Sequence, residues 1–197
     1  VPRIGSLGAS GDLAPLSHMT LGMMGEGECQ RFVRGSWHLT DIASAFSEAD
    51  LTPIKLQAKE GLSLINGTSQ MCAFLTLTVL NMETLALAAD ASIACSLEAI
   101  RGSHKPFDRR IHDSRPQLGQ SISAARISEL VSDSEIMLSH VDCDRVQDAY
   151  CFRCSPQVHG PVIDLLREVR RILEIEINSA TDNPLVFVDD YGSAEII

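Results

Sequence analysis

Apolar residues are most closely spaced in the middle of the chain, between residues 59 and 101. An amphipathic helix keeps its apolar residues on one stripe, whereas here they fall on almost every face. The pattern therefore predicts a long helical stretch with most of its faces buried. The residues that make the pattern are Leu75, Leu77, Val79, Leu80, Leu85, Leu87, Ile93, Leu97 and Ile100.

Helical spacing of apolar residues predicts three further helices, over about 13–24, 119–139 and 158–179. Thr40 and Asp41 predict the cap of a short helix that follows them. Polar or glycine-rich segments separate these predicted helices from one another. The segments 106–117 and 140–157 are the longest of these, and we expect both to be loops.

Two short runs rich in β-formers and aromatic residues, 31–33 and 37–39, flank Gly35 and Ser36 and predict a hairpin. A turn at 182–184 precedes a further predicted strand over 185–188. Helical patterns nevertheless cover most of the chain. We therefore expect an all-α fold, a bundle of long helices with a minor hairpin, in one domain over residues 1–197.

Charge and composition narrow the possible partners. The net charge is −10 and the sequence pI about 4.9, and no basic patch is present, so we expect no nucleic-acid partner. The stretch 61–82 carries no charge, which raises the possibility of a membrane span. It contains eight polar residues, too many for hydrocarbon, so we expect a helix inside a bundle and no membrane partner.

Six cysteines include a Cys-x-x-Cys pair, Cys151 and Cys154. Such a pair suits a redox couple or half of a zinc site. Because no second pair accompanies it, we favour free thiols in a reducing cytoplasm. The six histidines form no His-x-x-x-His pair, and we expect no metal.

Candidate chemistry lies near the start of the chain, at Ala9, Ser10 and Gly11. In such a tripeptide the glycine nitrogen can attack the alanine carbonyl, and loss of two waters leaves an imidazolone with an exocyclic methylene. Glycine permits the close backbone approach that ring closure needs, and serine supplies the leaving hydroxyl. Asp12 is a good helix cap, and the helix amides behind it could stabilise negative charge on the ring. The alternative is a plain glycine-rich turn before a helix.

The residues around the tripeptide favour the chemical interpretation. Residues 5–19 read Gly-Ser-Leu-Gly-Ala-Ser-Gly-Asp-Leu-Ala-Pro-Leu-Ser-His-Met. This run resembles the signature of the aromatic amino acid ammonia-lyases, whose members form a methylidene-imidazolone (MIO) electrophile from the tripeptide. The resemblance implies a long-helix bundle of the L-aspartase-like type. It covers the central part of the family's longer chains.

Two later segments resemble the same family. Residues 59–68 read Lys-Glu-Gly-Leu-Ser-Leu-Ile-Asn-Gly-Thr, and the resemblance places Asn66 beside the MIO ring. Because Asn-Gly is unfavourable inside an apolar helix, the alternative is a kink there that neighbouring backbone satisfies. Residues 146–157 read Val-Gln-Asp-Ala-Tyr-Cys-Phe-Arg-Cys-Ser-Pro-Gln. There the resemblance implies that Gln147 orients the substrate, Tyr150 manages a proton and Arg153 binds the carboxylate, for which a guanidinium is well shaped.

The sequence of the third segment, residues 146–157, most resembles that of the histidine branch of the family. It implies elimination of ammonia from L-histidine to give urocanate, by a homotetramer whose sites combine several subunits, with MIO and neither metal nor nucleotide as cofactor. Departures from the branch, such as Gln117-Leu118 in place of His-Pro, leave other substrates open. The alternatives are a phenylalanine or tyrosine ammonia-lyase, an aminomutase, and a scaffold relative that never forms the ring.

Overall fold

A computed structural model describes residues 1–2, 4–9 and 11–197. Within them the chain is mainly helical, which confirms the all-α prediction. The helices are α1 (Leu13–Met23), α2 (Ile42–Glu48), α3 (Glu60–Ile65), α4 (Ser69–Ala99), α5 (Arg109–Asp113), α6 (Leu118–Leu130), α7 (Glu135–Leu138), α8 (Tyr150–Arg153) and α9 (Ser155–Ile177). The strands are β1 (Glu28–Val33), β2 (Ser36–Asp41), β3 (Val186–Val188) and β4 (Ala194–Ile196).

The described chain divides into two compact units. The first unit consists of Val1–Phe74 and Ile175–Ile197, and the second of Leu75–Glu174. The long helices α4 and α9 each contribute residues to both units. That the whole chain forms one folding domain stays a prediction.

The first unit contains the predicted hairpin. Strands β1 and β2 pair antiparallel, with Phe32 opposite Trp37 and their ring centroids 5.2 Å apart. Asp41 then caps α2 by accepting a hydrogen bond from the Ser44 amide at 2.9 Å. The predicted hairpin and the cap are confirmed. Strand β3 also forms as expected, and β4 pairs with it antiparallel.

The predicted long helical stretch over 59–101 forms two helices, α3 and α4, with a break between them. Helix α3 ends at Ile65, and the next residue, Asn66, leaves the helical region with a φ of −110° and a ψ of 75°. Helix α4 begins three residues later. The break occurs because the polar groups here bond elsewhere in the first unit: the Asn66 Nδ2 donates to the Asn183 carbonyl, and the Thr68 amide to the Thr181 hydroxyl.

Most apolar residues of α4 are exposed in this chain, so the prediction that most faces are buried is wrong for the chain alone. Leu77, Leu85 and Leu87 are 61%, 59% and 51% exposed. A helix can be apolar on all sides only if something covers all sides. By length and composition the stretch Glu60–Ala99 could also cross a membrane, although core helices of other proteins pass the same test.

A cluster of buried apolar side chains forms the core of the second unit. It consists of Ala94, Leu97, Phe107, Ile127, Val131 and Met137. The segment 119–139 is two helices and not the predicted one, because the Ser134 hydroxyl caps a new helix by accepting from the Met137 amide. The loop predictions for 106–117 and 140–157 are also wrong in part, since α5 and α8 lie within them.

Two glycines bring α6 close to α9 inside the second unit. A β-carbon on Gly160 would lie 2.6 Å from the Gln120 Cα, and one on Gly119 would lie 2.9 Å from the Asp164 Cγ. The Gly119 amide donates to the Asp164 Oδ1 at 2.8 Å. The first-turn amide of α6 is therefore satisfied by a side chain from the facing helix.

Candidate active site

The backbone at Gly11 is close to the segment that separates α3 from α4. Gly11 has a φ of +89°, a conformation that L side chains rarely adopt. A β-carbon there would lie 3.2 Å from the Gly67 nitrogen and 3.4 Å from the Asn66 Oδ1. Ser10, the middle residue of the predicted ring, lies outside the described residues. The structure thus brings Gly11 and Asn66 together in the first unit.

Hydrogen bonds determine which way the Asn66 carboxamide faces. Its Nδ2 donates to the Asn183 carbonyl oxygen at 3.0 Å. Because a carbonyl only accepts, the nitrogen must take this side and the Oδ1 is left to face Gly11. The carboxamide oxygen is therefore the group that α3 presents to the tripeptide.

An ion pair holds the neighbouring segment in place. The Asp182 carboxylate accepts from the Lys59 ammonium and, at 2.8 Å, from the Ser63 hydroxyl. The Lys59 hydrogen bond, followed by that of Ser63, holds the pKa of the Asp182 carboxyl below its usual value. This arrangement ties residues 181–183, and with them the carbonyl that orients Asn66, to the start of α3.

Asp12 does not cap α1 in the way the sequence predicts. Its side chain accepts no hydrogen bond from the first-turn amides of α1. Asp12 is 4% exposed, and its Oδ1 accepts from the Ser6 hydroxyl. Its Oδ2 is buried and has no hydrogen-bond partner among the described residues. The capping prediction is wrong because the carboxylate turns towards the glycine-rich loop.

These features fit an MIO group formed from the tripeptide. Gly11 already holds a left-handed conformation, with neighbours 3.2–3.4 Å from the position of a β-carbon, and Ala9 and Gly11 form an isolated backbone bridge. The unsatisfied Asp12 Oδ2, one residue from the tripeptide, is an acceptor that needs a donor. Asn66, Asp12 and the backbone of Gly67 are the described residues that would surround the ring.

The second predicted cluster lies in the second unit, on and before α8. The Arg153 Cζ lies 4.4 Å from the centroid of the Tyr150 ring, a cation–π contact. The Arg153 Nε donates to the Asp148 carbonyl at 2.8 Å. Tyr150 is 75% exposed. The structure thus brings Tyr150 and Arg153 together.

Gln147 has a different environment from that pair. It lines a cavity of about 100 Å³ in the second unit, together with Ser103, His140, Arg145 and Asp148. No hydrogen bond joins Gln147 to Tyr150 or Arg153 in the part of the chain that the structure describes. Its predicted role in orienting the substrate therefore stays a prediction.

Sequence reasoning did not single out three buried or half-buried acids. Asp90, 1% exposed, accepts from Ser123 at 2.6 Å and His159 at 2.8 Å. Asp148 and Asp182 support Arg153 and Asn66 through the contacts given above. The signal for Asp90 is an acid in the otherwise uncharged stretch between Glu83 and Glu98, and for Asp148 it is the place of this residue inside the third motif.

Known proteins match this chain over its full length. The family model for aromatic amino acid lyases matches residues 1–197. The histidine ammonia-lyase of Stigmatella aurantiaca is 53% identical over 189 residues, which are 96% of this chain and 36% of that relative. The chain thus spans about a third of the length of such relatives.

Solved structures agree with the sequence match. Histidine ammonia-lyase from Trypanosoma cruzi aligns with a TM-score of 0.76 and 39% identity, over 100% of this chain and 35% of that one. Tyrosine aminomutase from Streptomyces globisporus aligns with a TM-score of 0.79 and 37% identity, over 100% and 39%. The chain belongs to the aromatic amino acid lyase family.

Proposed function

We propose that the complete protein to which this chain belongs eliminates ammonia from L-histidine to give urocanate. The strongest support for this substrate is the match to histidine ammonia-lyases, which are about 50% identical in sequence across nearly the whole chain. The chain covers 36% of such relatives, so the activity is assigned to the whole protein. The sites within this chain are the parts of the active centre that it contributes.

Ala9, Ser10 and Gly11 would form the MIO group. Once formed, this group supplies an electrophile that makes the amino group of the substrate a better leaving group. The close approach of Asn66 and Gly67 to Gly11 supports this assignment. The Asn66 Oδ1 would accept a hydrogen bond from the amino group of a substrate bound at the tripeptide.

Arg153 would hold the substrate carboxylate. Its Nε is occupied by the Asp148 carbonyl, and within the described residues its two terminal nitrogens make no hydrogen bond. Those nitrogens form the end of a planar fork that matches the two oxygens of a carboxylate. Tyr150 stacks against the guanidinium and is largely exposed. Its hydroxyl would donate or accept a proton beside the bound substrate.

We also propose that the protein works as a homotetramer in the cytoplasm. Three leucines of α4, Leu77, Leu85 and Leu87, are more than half exposed in this chain, which supports their burial against other helices of the same protein. Six free thiols, three of them on exposed cysteines, support a reducing compartment. This chain expressed alone should be poorly soluble or inactive, and gel filtration of a well-behaved active monomer would contradict that.

A second candidate is an MIO enzyme acting on tyrosine or phenylalanine, as a lyase or an aminomutase. The alignment with a tyrosine aminomutase at 37% identity over the whole chain favours including it. Product analysis separates the candidates when the complete protein is incubated with L-histidine, L-tyrosine and L-phenylalanine. Urocanate supports the first proposal, cinnamate or coumarate a different lyase, and a β-amino acid an aminomutase.

The third candidate, a scaffold relative without ring chemistry, predicts no product from any of these substrates. It also predicts an intact mass equal to that of the unmodified chain. Cyclisation would make the protein lighter by two waters. The mass therefore separates a non-enzymatic relative from an enzyme whose substrate is missing from the panel.

A further inference from the structure

Asp148 is the most extensively bonded acid in the segment that carries Tyr150 and Arg153. Its side chain is 3% exposed, and its Oδ2 accepts from the Ser103 amide at 2.6 Å. Its Oδ1 faces the Arg145 Nη1 at 3.2 Å. The same Nη1 donates to the Ile100 carbonyl at 3.1 Å. The carboxylate thus ties the 145–153 segment to the turn that follows α4.

The backbone of the same residue bonds Arg153. The Asp148 carbonyl accepts from the Arg153 Nε at 2.8 Å, and the guanidinium then lies 4.4 Å over the Tyr150 ring. Anchoring the carboxylate fixes the neighbouring peptide plane, because only a few torsions separate the two groups. The direction of the Arg153 terminal nitrogens therefore depends on where the Asp148 side chain is held.

We infer that Asp148 is a positioning residue for substrate binding, acting through Arg153. The inference rests on the proposed function, in which Arg153 holds the substrate carboxylate. A charged acceptor suits this task, since hydrogen bonds to a carboxylate are stronger than those to neutral groups and the Asp148 side chain is almost fully buried. Asp148 itself need not touch the substrate.

The first variant for a test in the complete protein is Asp148→Asn. It keeps the size of the side chain but replaces one acceptor oxygen by a nitrogen that only donates, so one of the two contacts is lost. We expect KM for L-histidine to rise by about tenfold to hundredfold, with a smaller fall in kcat. The matched control is Asp144→Asn, an exposed acid in the same segment, for which both constants should stay within about twofold.

A milder variant serves if Asp148→Asn does not fold. Arg145→Gln removes one donor to Asp148 from a side chain that is half exposed, so the core is untouched. We expect the same kind of change, a rise in KM larger than the fall in kcat, but smaller in size. An unchanged KM in both variants would overturn the inference.

A double-mutant cycle tests whether Asp148 acts through Arg153. In an Arg153→Ala background the guanidinium is gone, so adding Asp148→Asn should change KM by less than about threefold. If Asp148→Asn raises KM by the same factor with and without Arg153, Asp148 does not act through Arg153. That result would overturn the inference even if the single variant behaves as expected.

Hydrogen exchange gives a readout that does not depend on activity. The amides of Phe152, Arg153 and Cys154 bond the carbonyls of Ala149 and Tyr150. We expect Asp148→Asn to speed their exchange by about tenfold relative to Asp144→Asn, since the segment loses its anchor. A wild-type protein with no activity on any amino acid would contradict the proposed function, and the exchange rates would then test only whether Asp148 anchors the segment that carries Arg153. Unchanged exchange would overturn it.

Discussion

The carboxamide oxygen of Asn66 lies 3.4 Å from the position that a β-carbon would take on Gly11. This contact joins two of the three motifs, which are separated by more than fifty residues in the chain. It depends on Asn183, whose carbonyl takes the Asn66 nitrogen and so turns the oxygen towards the tripeptide. A short hydrogen-bond network in the first unit thus orients the carboxamide that lies beside the proposed electrophile.

Replacing Gly11 by alanine should prevent ring formation. The new β-carbon would meet Gly67 and Asn66 in a backbone conformation already unfavourable for alanine. We expect the complete Gly11→Ala protein to have the mass of the unmodified chain. Gly5→Ala is the matched control, because Gly5 also has a positive φ of +111° but nothing within 4 Å of its β-position. Gly5→Ala should still lose two waters; if Gly11→Ala loses them as well, the close contact does not matter for cyclisation.

Gly160→Ala should strongly destabilise the protein. Its β-carbon would lie 2.6 Å from the Gln120 Cα, which is backbone and cannot move aside cheaply. We expect the free energy of unfolding, measured in urea, to fall by about 3 kcal/mol or more, as for overpacked cores. The control is Gly61→Ala in α3, where the nearest atom is a Leu56 methyl at an ordinary 3.7 Å. There alanine should stabilise by up to about 1 kcal/mol; equal effects at both sites would refute the close approach of α6 and α9.

The buried Asp90 carboxylate should be needed for the stability of the second unit. It accepts from Ser123 and His159 and pairs with the Arg126 Nη1 at 3.4 Å. Asp90→Ala leaves these donors unsatisfied, at a cost of about 3–5 kcal/mol in urea unfolding.

Asp113→Ala is the comparison for this experiment, because it breaks an exposed pair with Arg109. Such surface pairs contribute little, so its free energy of unfolding should change by less than about 1 kcal/mol. If Asp90→Ala is as mild as Asp113→Ala, the network does not contribute as the structure indicates.

Asp182 should make stability depend on acid pH. Its folded pKa lies below the usual value of 3.8, chiefly because Lys59 donates to it. Above that usual value the carboxylate is charged in both states and its contribution is complete. As the pH falls through the lowered folded pKa the contribution is lost. The variant Asp182→Asn should therefore have a lower Tm at neutral pH and a smaller further loss on acidification.

Thermal unfolding of both proteins between neutral pH and about pH 2 measures this difference. Asp190→Asn, an exposed acid in the same terminal segment, controls for the removal of one charge. Parallel curves for wild type and Asp182→Asn would show that the pairing with Lys59 does not couple stability to pH.

Local rules predicted the elements that depend on short stretches of chain. The hairpin about Gly35 and the Asp41 cap need only a turn, a few β-formers and one side chain, all adjacent in sequence. The sequence marks a possible kink at Asn66, because Asn-Gly is unfavourable inside an apolar helix. The partner that holds it, Asn183, lies more than a hundred residues away, and periodicity cannot reveal it. The break before Ser134 was missed because an apolar period continues across it.

The motifs name candidate site residues but say little about what holds them in place. Gly11 lies close to Asn66, and Arg153 contacts the Tyr150 ring, while the roles of these residues stay predictions. The contacts of Asp12 differ from those that its position in the sequence predicts, since its side chain does not cap the helix that follows it. Supporting contacts such as that of Asp182 with Lys59 depend on the folded chain, and no spacing rule anticipates them.

The mass of the peptide that contains residues 9–11, taken from the complete protein and from its Ser10→Ala variant, tests the proposed chemistry most directly. We expect the wild-type peptide to be lighter than its sequence by two waters, the variant peptide to have its full mass, and urocanate to form from L-histidine only with the wild type. A wild-type peptide of full mass, or a variant that still produces urocanate, would contradict a mechanism based on a cyclised Ala9-Ser10-Gly11.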